Sequence, residues 1–122
     1  MNTDRELLVL AAKAADINIK MDRSDADDQF IGFIVGTRNT NQRFAWNPLT
    51  DDGDALRLAV KLGLDFYEGD DDGRAAYVGY YERRGNTKPP RFMIERHDAH
   101  ADPYAATRRA IVRAAAAIGA ST

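Results

Sequence analysis

The stretch from residue 44 to 64, FAWNPLTDDGDALRLAVKLGL, restricts the possible folds of this chain more than any other. Trp46 closes an aromatic run suited to a strand, and Pro48, which has no N–H to give to a ladder, ends that strand. Thr50, Asp51 or Asp52 then caps a helix whose first-turn carboxylates oppose the positive end of the helix dipole. Ala55, Leu56, Leu58, Ala59, Val60 and Leu62 are apolar within it, whereas Asp54, Arg57 and Lys61 fall at i, i+3 and i+7. Most of the helix girdle is therefore expected to be buried. Gly63 stands where a left-handed C-cap residue belongs, with Leu64 placed for the accompanying hydrophobic contact.

The same signals can be followed outward in both directions. Thr3-Asp4-Arg5-Glu6 has the form of a capping box and leads into Leu7, Leu8, Leu10, Ala11, Ala14 and Ala15 at helical spacing. This predicts a first helix ending near Asp16. Residues 21–29, MDRSDADDQ, read as an acidic loop. Residues 30–35 are aromatic and β-branched, and a turn at Asn39, Thr40 and Asn41 returns the chain to 44–46, completing a hairpin. Past the second helix, strands are expected at 64–68, 74–82 and 91–96, joined by the turns GDDDG and RRGNTKPP. Asp102-Pro103 opens the last helix, which runs to Gly119. The expected architecture is α+β in the order αββαβββα, a sandwich with a mainly antiparallel sheet flanked by three helices, forming a single domain over residues 1–122.

Composition removes several functional classes. At 122 residues, 44% hydrophobic and 30% charged, the chain can bury an ordinary core without a metal or disulfide staple. A net charge of −2 gives no global pull toward nucleic acid or anionic lipid. Without cysteine there is no disulfide, thiolate nucleophile or thiolate-bound zinc. Apolar runs fall well short of the ~18 residues of a membrane span, and MNTDRE is not a basic leader. The expectation is a soluble, cytoplasmic protein with no membrane association.

Candidate chemistry is confined to a few places. His97-Asp98-Ala99-His100 offers two imidazoles and a carboxylate suited to a borderline divalent metal, though Asp102 just beyond is a helix cap and the spacing matches no hydrolase pattern. Glu68-Gly69-Asp70-Asp71-Asp72-Gly73 imitates the first half of a calcium loop, but position 12 is Gly79 where a bidentate Glu is needed, so a hairpin turn is expected. Arg83, Arg84 and Lys88 cluster at a turn that follows Tyr77, Tyr80 and Tyr81. Tyr80 points opposite to Tyr77 and Tyr81, so the three tyrosines make no single stacking platform and nucleic acid is disfavoured. Trp46 reads as a core-edge residue, or as a binding hot spot if exposed. No phosphate loop, nucleophile elbow or other cofactor motif is present.

The W-N-P turn, the acidic-capped D-A-L-R-L-A-V helix and the final A-A-T-R-R-A-I helix together resemble small phage and prophage proteins of the alpha-beta-alpha sandwich type, most of which have no assigned function. The resemblance implies a β-sheet flanked by helices and an accessory role, and it carries over no catalytic residue. The expected function is a non-enzymatic binding module acting on a host or phage protein, with Tyr80, Arg83, Arg84, Lys88 and Trp46 as candidate contacts and no cofactor. Two alternatives stand beside it: a binder of a small phosphorylated nucleotide, and a metal-dependent hydrolase using His97, Asp98 and His100.

Overall fold

The computed structural model describes residues 3–23, 30–36, 43–69, 74–81 and 90–121. Its elements run α1 (Asp4–Ala14), β1 (Lys20–Arg23), β2 (Phe30–Gly36), β3 (Arg43–Trp46), α2 (Asp52–Leu62), β4 (Asp65–Glu68), β5 (Ala75–Tyr80), β6 (Arg91–Arg96) and α3 (Pro103–Ala120), with a short 3-10 turn at His97–Ala99. The fold class is α+β, as the sequence pattern predicts. Two details differ. Residues 20–23 form an additional strand, which takes in the first three residues of the stretch 21–29 that reads as a loop in the sequence, and the strands divide into two antiparallel three-stranded sheets, β1-β2-β3 and β4-β5-β6.

Each helix starts on the cap its sequence supplies. Thr3 accepts from the Glu6 N–H, Asp51 from the Asp54 N–H and Asp102 from the Ala105 N–H, with Pro103 in the first turn of α3. At the end of α2, Gly63 adopts φ 65°, and the Leu64 N–H donates to the Ala59 carbonyl at 2.9 Å while Leu64 is buried, which completes a Schellman closure. The first helix closes in the same way, except that Asp16 occupies the left-handed position at φ 56° and the Ile17 N–H reaches the Ala12 carbonyl.

The loop-like residues of β1 become a strand through pairing. Met21 faces Phe33 and Asp22 faces Gly32, with a register irregularity between Asp22 and Arg23 beside Gly32 at φ 151°. On the other side of β2, Phe33 faces Trp46, and these two aromatics join the core.

One hydrophobic cluster draws on all three helices and both sheets. The most extensive contact between different elements is α1 on α3, where buried Gly119 lies against the backbone of Leu10 and Ala14, and both helices are rich in buried alanines. α3 also covers β5 and β6, where Ala76, Val78 and Tyr80 point inward. Its contact with β4 is slight, so the inner face of β4 overhangs the helix layer.

Candidate functional site

The WNPLTDDGD turn proves to be a self-contained structural device. The Asn47 side chain accepts from the Leu49 N–H at 3.0 Å, Pro48 is fully buried, and Asp54 accepts from the Asn47 N–H at 2.9 Å and from Arg57 at 2.7 Å. Asp54 is only 9% exposed, so this carboxylate, which the sequence places on the solvent stripe of α2, bridges the helix to the end of β3. Trp46 is 7% exposed and belongs to the core, which is the core-edge reading and not the exposed hot spot. Tyr80, 5% exposed, is likewise inside and offers no surface contact. Tyr77 stacks on Tyr67 with ring centroids 5.2 Å apart, on the face of the sheet opposite Tyr80. Arg83, Arg84 and Lys88 lie outside the described residues, as do Asp70, Asp71, Asp72 and Gly73 of the acidic turn.

The histidine segment is pulled apart by carboxylates from two strands. His97 Nε2 lies 2.8 Å from Glu68 Oε1, and His100 Nε2 lies 2.9 Å from Glu95 Oε1. With each glutamate ionised, the ring N–H is the donor in both bonds. Asp98 pairs instead with Arg96 at 3.2 Å. The three candidate ligands thus have three different partners, and among the described residues no group of three or more histidines, aspartates or glutamates is arranged around a possible metal ion. Glu95 also accepts from Arg113, and Arg109 reaches Asp4 at 2.8 Å, so these polar groups fasten β6 and α1 to α3.

The pattern that the sequence reading did not isolate is apolar. Leu56 is 52% and Val60 72% exposed, so α2 carries a second, outward apolar stripe at i, i+4 in addition to its buried Ala55, Leu58 and Ala59. The expected burial of most of the α2 girdle does not hold, because α2 packs on α3 and leaves its opposite flank open. Phe66, on the overhanging inner face of β4, is 44% exposed, and Tyr104, in the first turn of α3, is 68% exposed. Leu56, Phe66 and Tyr104 converge on a cleft of about 600 Å³ between α2, β4 and the start of α3, floored by Ile111.

Polar contacts brace both walls of this cleft. On one side Glu68 holds His97 and receives Thr107, whose Oγ1 lies 3.0 Å and 3.1 Å from the two carboxylate oxygens and 2.8 Å from the Pro103 carbonyl. On the other side the Arg108 guanidinium donates to the Leu49 carbonyl at 2.8 Å and to Asp52 at 2.6 Å, clamping the start of α2 to α3. The walls are held before anything binds, and Asp52, Glu68, Thr107 and Arg108 already have partners. Such a site recognises shape and apolar surface more than it supplies chemistry.

Comparisons with protein families, with curated proteins and with solved structures find no match to this chain. Among the described residues, no helix is long and apolar enough to cross a membrane.

Proposed function

We propose that this chain is a non-enzymatic binding module of the phage accessory type, acting in the bacterial cytoplasm on a host or phage protein. Its working surface is the cleft between α2, β4 and α3. One observation supports this reading above others: bulky apolar side chains from three separate elements, each about half exposed or more, face a single braced cleft. Exposed apolar groups gathered in this way mark contact surfaces, whereas single ones scattered over a surface do not. The chemistry-bearing side chains, by contrast, are occupied with one another. His97, His100, Glu68, Glu95 and Arg108 each hold the fold together through a named partner.

The test replaces Leu56→Lys together with Tyr104→Lys. Both side chains stand mostly in solvent, so the variant is expected to melt within about 0.5 kcal/mol of the parent. The tagged parent chain, incubated with bacterial lysate, is expected to retain one stoichiometric polypeptide, and the variant is expected to lose it. Retention of the same polypeptide by the variant at the parental ratio, or no stoichiometric partner for the parent chain, refutes the assignment.

A further inference from the structure

We infer that the occupant of the cleft is an extended, basic segment of the partner protein, which adds to the second sheet as a strand alongside β4. The inference rests on the reading above that the cleft is the working surface, and it specifies the chemistry of what enters.

The backbone makes the first argument. In the order β4-β5-β6, β4 is an edge strand. The Gly69 N–H donates to the Ala75 carbonyl at 2.8 Å, which makes Gly69 and Ala75 a hydrogen-bonded pair. In an antiparallel ladder such pairs recur at every second residue, so Tyr67 with Tyr77 and Asp65 with Gly79 are the next two. The N–H and C=O groups of Phe66 and Glu68 are therefore turned away from β5, toward the free edge. Among the described residues no backbone group meets them there. Unpaired edge groups of this kind are what strand addition uses for affinity, while alternate side chains of the incoming strand supply specificity.

The side chains make the second argument. Phe66 and Glu68 lie opposite Val78 and Ala76 and share their face, the one that overhangs the cleft. Alternate residues of an added strand would point to that same face, into the space bounded by Leu56, Tyr104 and Ile111. Those positions call for bulky apolar residues.

Charge separates the possible occupants. Among the described residues, two carboxylates and one cation line the cleft, and because Arg108 is paired with Asp52 the charge left over is that of Glu68. Asp65 begins β4, is exposed, and shares with Tyr67 the face opposite Phe66 and Glu68. A second copy of β4 laid against the first would bring its own Asp65 and Glu68 to an edge that already carries both, and like charges across a strand pair are destabilising. Lysine or arginine between the apolar residues of an added strand points to the face of Asp65 and meets the opposite charge there.

The experiment titrates the whole protein, labelled with nitrogen-15, with a synthetic peptide alternating lysine with valine and leucine. Two controls accompany it: the same peptide with glutamate in place of lysine, and the lysine peptide N-methylated at alternate residues. The lysine peptide is expected to slow amide exchange at Phe66 and Glu68 at least about tenfold at saturation, and both controls to bind at least about tenfold more weakly. Absence of binding, binding without protection of those two amides, or equal binding by either control overturns the inference. So does protection of the same amides by concentration-dependent dimerisation of the protein alone, which would make a second copy the occupant. If the lysine peptide fails while Leu56→Lys with Tyr104→Lys still abolishes partner capture, strand addition is wrong and the cleft stands. If both fail, the cleft assignment falls as well.

Discussion

Gly119→Ala sets two known effects against each other at one residue, and the structure decides the sign. Alanine is the better helix former by about 1 kcal/mol in a helix interior, and by less near an end. Gly119 lies next to the last residue of α3, so the gain available there is a fraction of that value. Against it, a Cβ built on Gly119 would sit 2.0 Å from the Leu10 carbonyl oxygen, 2.9 Å from its carbon and 3.4 Å from the Ala14 nitrogen. Carbon to oxygen contacts settle at roughly 3.3–3.6 Å, so α1 and α3 would have to part by more than about 1 Å. The obstacle is backbone and cannot rotate away. Overpacking a close-packed site costs about 1–3 kcal/mol, which leaves a net destabilisation of roughly 1–2 kcal/mol. For a domain of this size that lowers the melting temperature by about 3–10 °C.

Urea unfolding followed by circular dichroism measures the loss directly, with the slope expected to stay the same. Gly53→Ala is the internal comparison. Its Cβ would meet the Arg57 guanidinium and the Asp51 carboxylate at 3.2 Å, and both are side chains more than half exposed that can give by a few tenths of an ångström without losing their bonds to Asp54. That substitution is expected to be neutral or to stabilise by up to about 0.5 kcal/mol. If Gly119→Ala proves as stable as the parent while Gly53→Ala behaves as expected, close approach of the helices is not what keeps Gly119 small.

Other substitutions probe the remaining devices. Asp54→Ala removes the acceptor of the Asn47 N–H and is expected to destabilise by about 1–3 kcal/mol, with Asp54→Asn intermediate; a loss below about 0.5 kcal/mol in the same urea assay would contradict the bridging role. Asp16→Gly relieves a left-handed residue at the α1 closure and should raise stability by about 0.5–1 kcal/mol, so a fall in melting temperature counts against it. Excess zinc is expected to leave the melting temperature unmoved, since His97 and His100 are held by different glutamates. A rise abolished by His97→Ala with His100→Ala would place a metal there after all.

Local signals in the sequence proved a good guide to the ends of elements. Thr3, Asp51, Gly63, Asp102 and Pro103 act through atoms one to four residues away, and each does what its side chain predicts. Lys20 to Arg23 show the opposite case. Their propensities favour loop, and only the ladder with β2, which is a tertiary fact, makes them a strand. The exposed stripe of α2 was hidden for a related reason. Periodicity shows that Leu56 and Val60 share a flank, but whether another element covers that flank depends on where α3 lies. Part of that signal was visible: apolar residues nearly all round α2 exceed what a single buried face requires. The histidine segment misled because H-x-x-H records neighbours along the chain, whereas Glu68 and Glu95 come from different strands.

The meeting of α1 with α3 also bears on how the chain is made. Arg109 and Asp4, which bridge the two helices, are 105 positions apart. During synthesis at about 5–20 residues per second, Leu7, Leu8 and Ala11 must wait roughly 5–20 s for the surface that buries them. Of the three helices, the one made before the others thus waits for the last of them to be sheltered, and closing so long a loop slows the search for the native pairing. A chain cut short before Pro103 would leave that apolar face with nothing to cover it, so partial products should be prime substrates for chaperones and proteases.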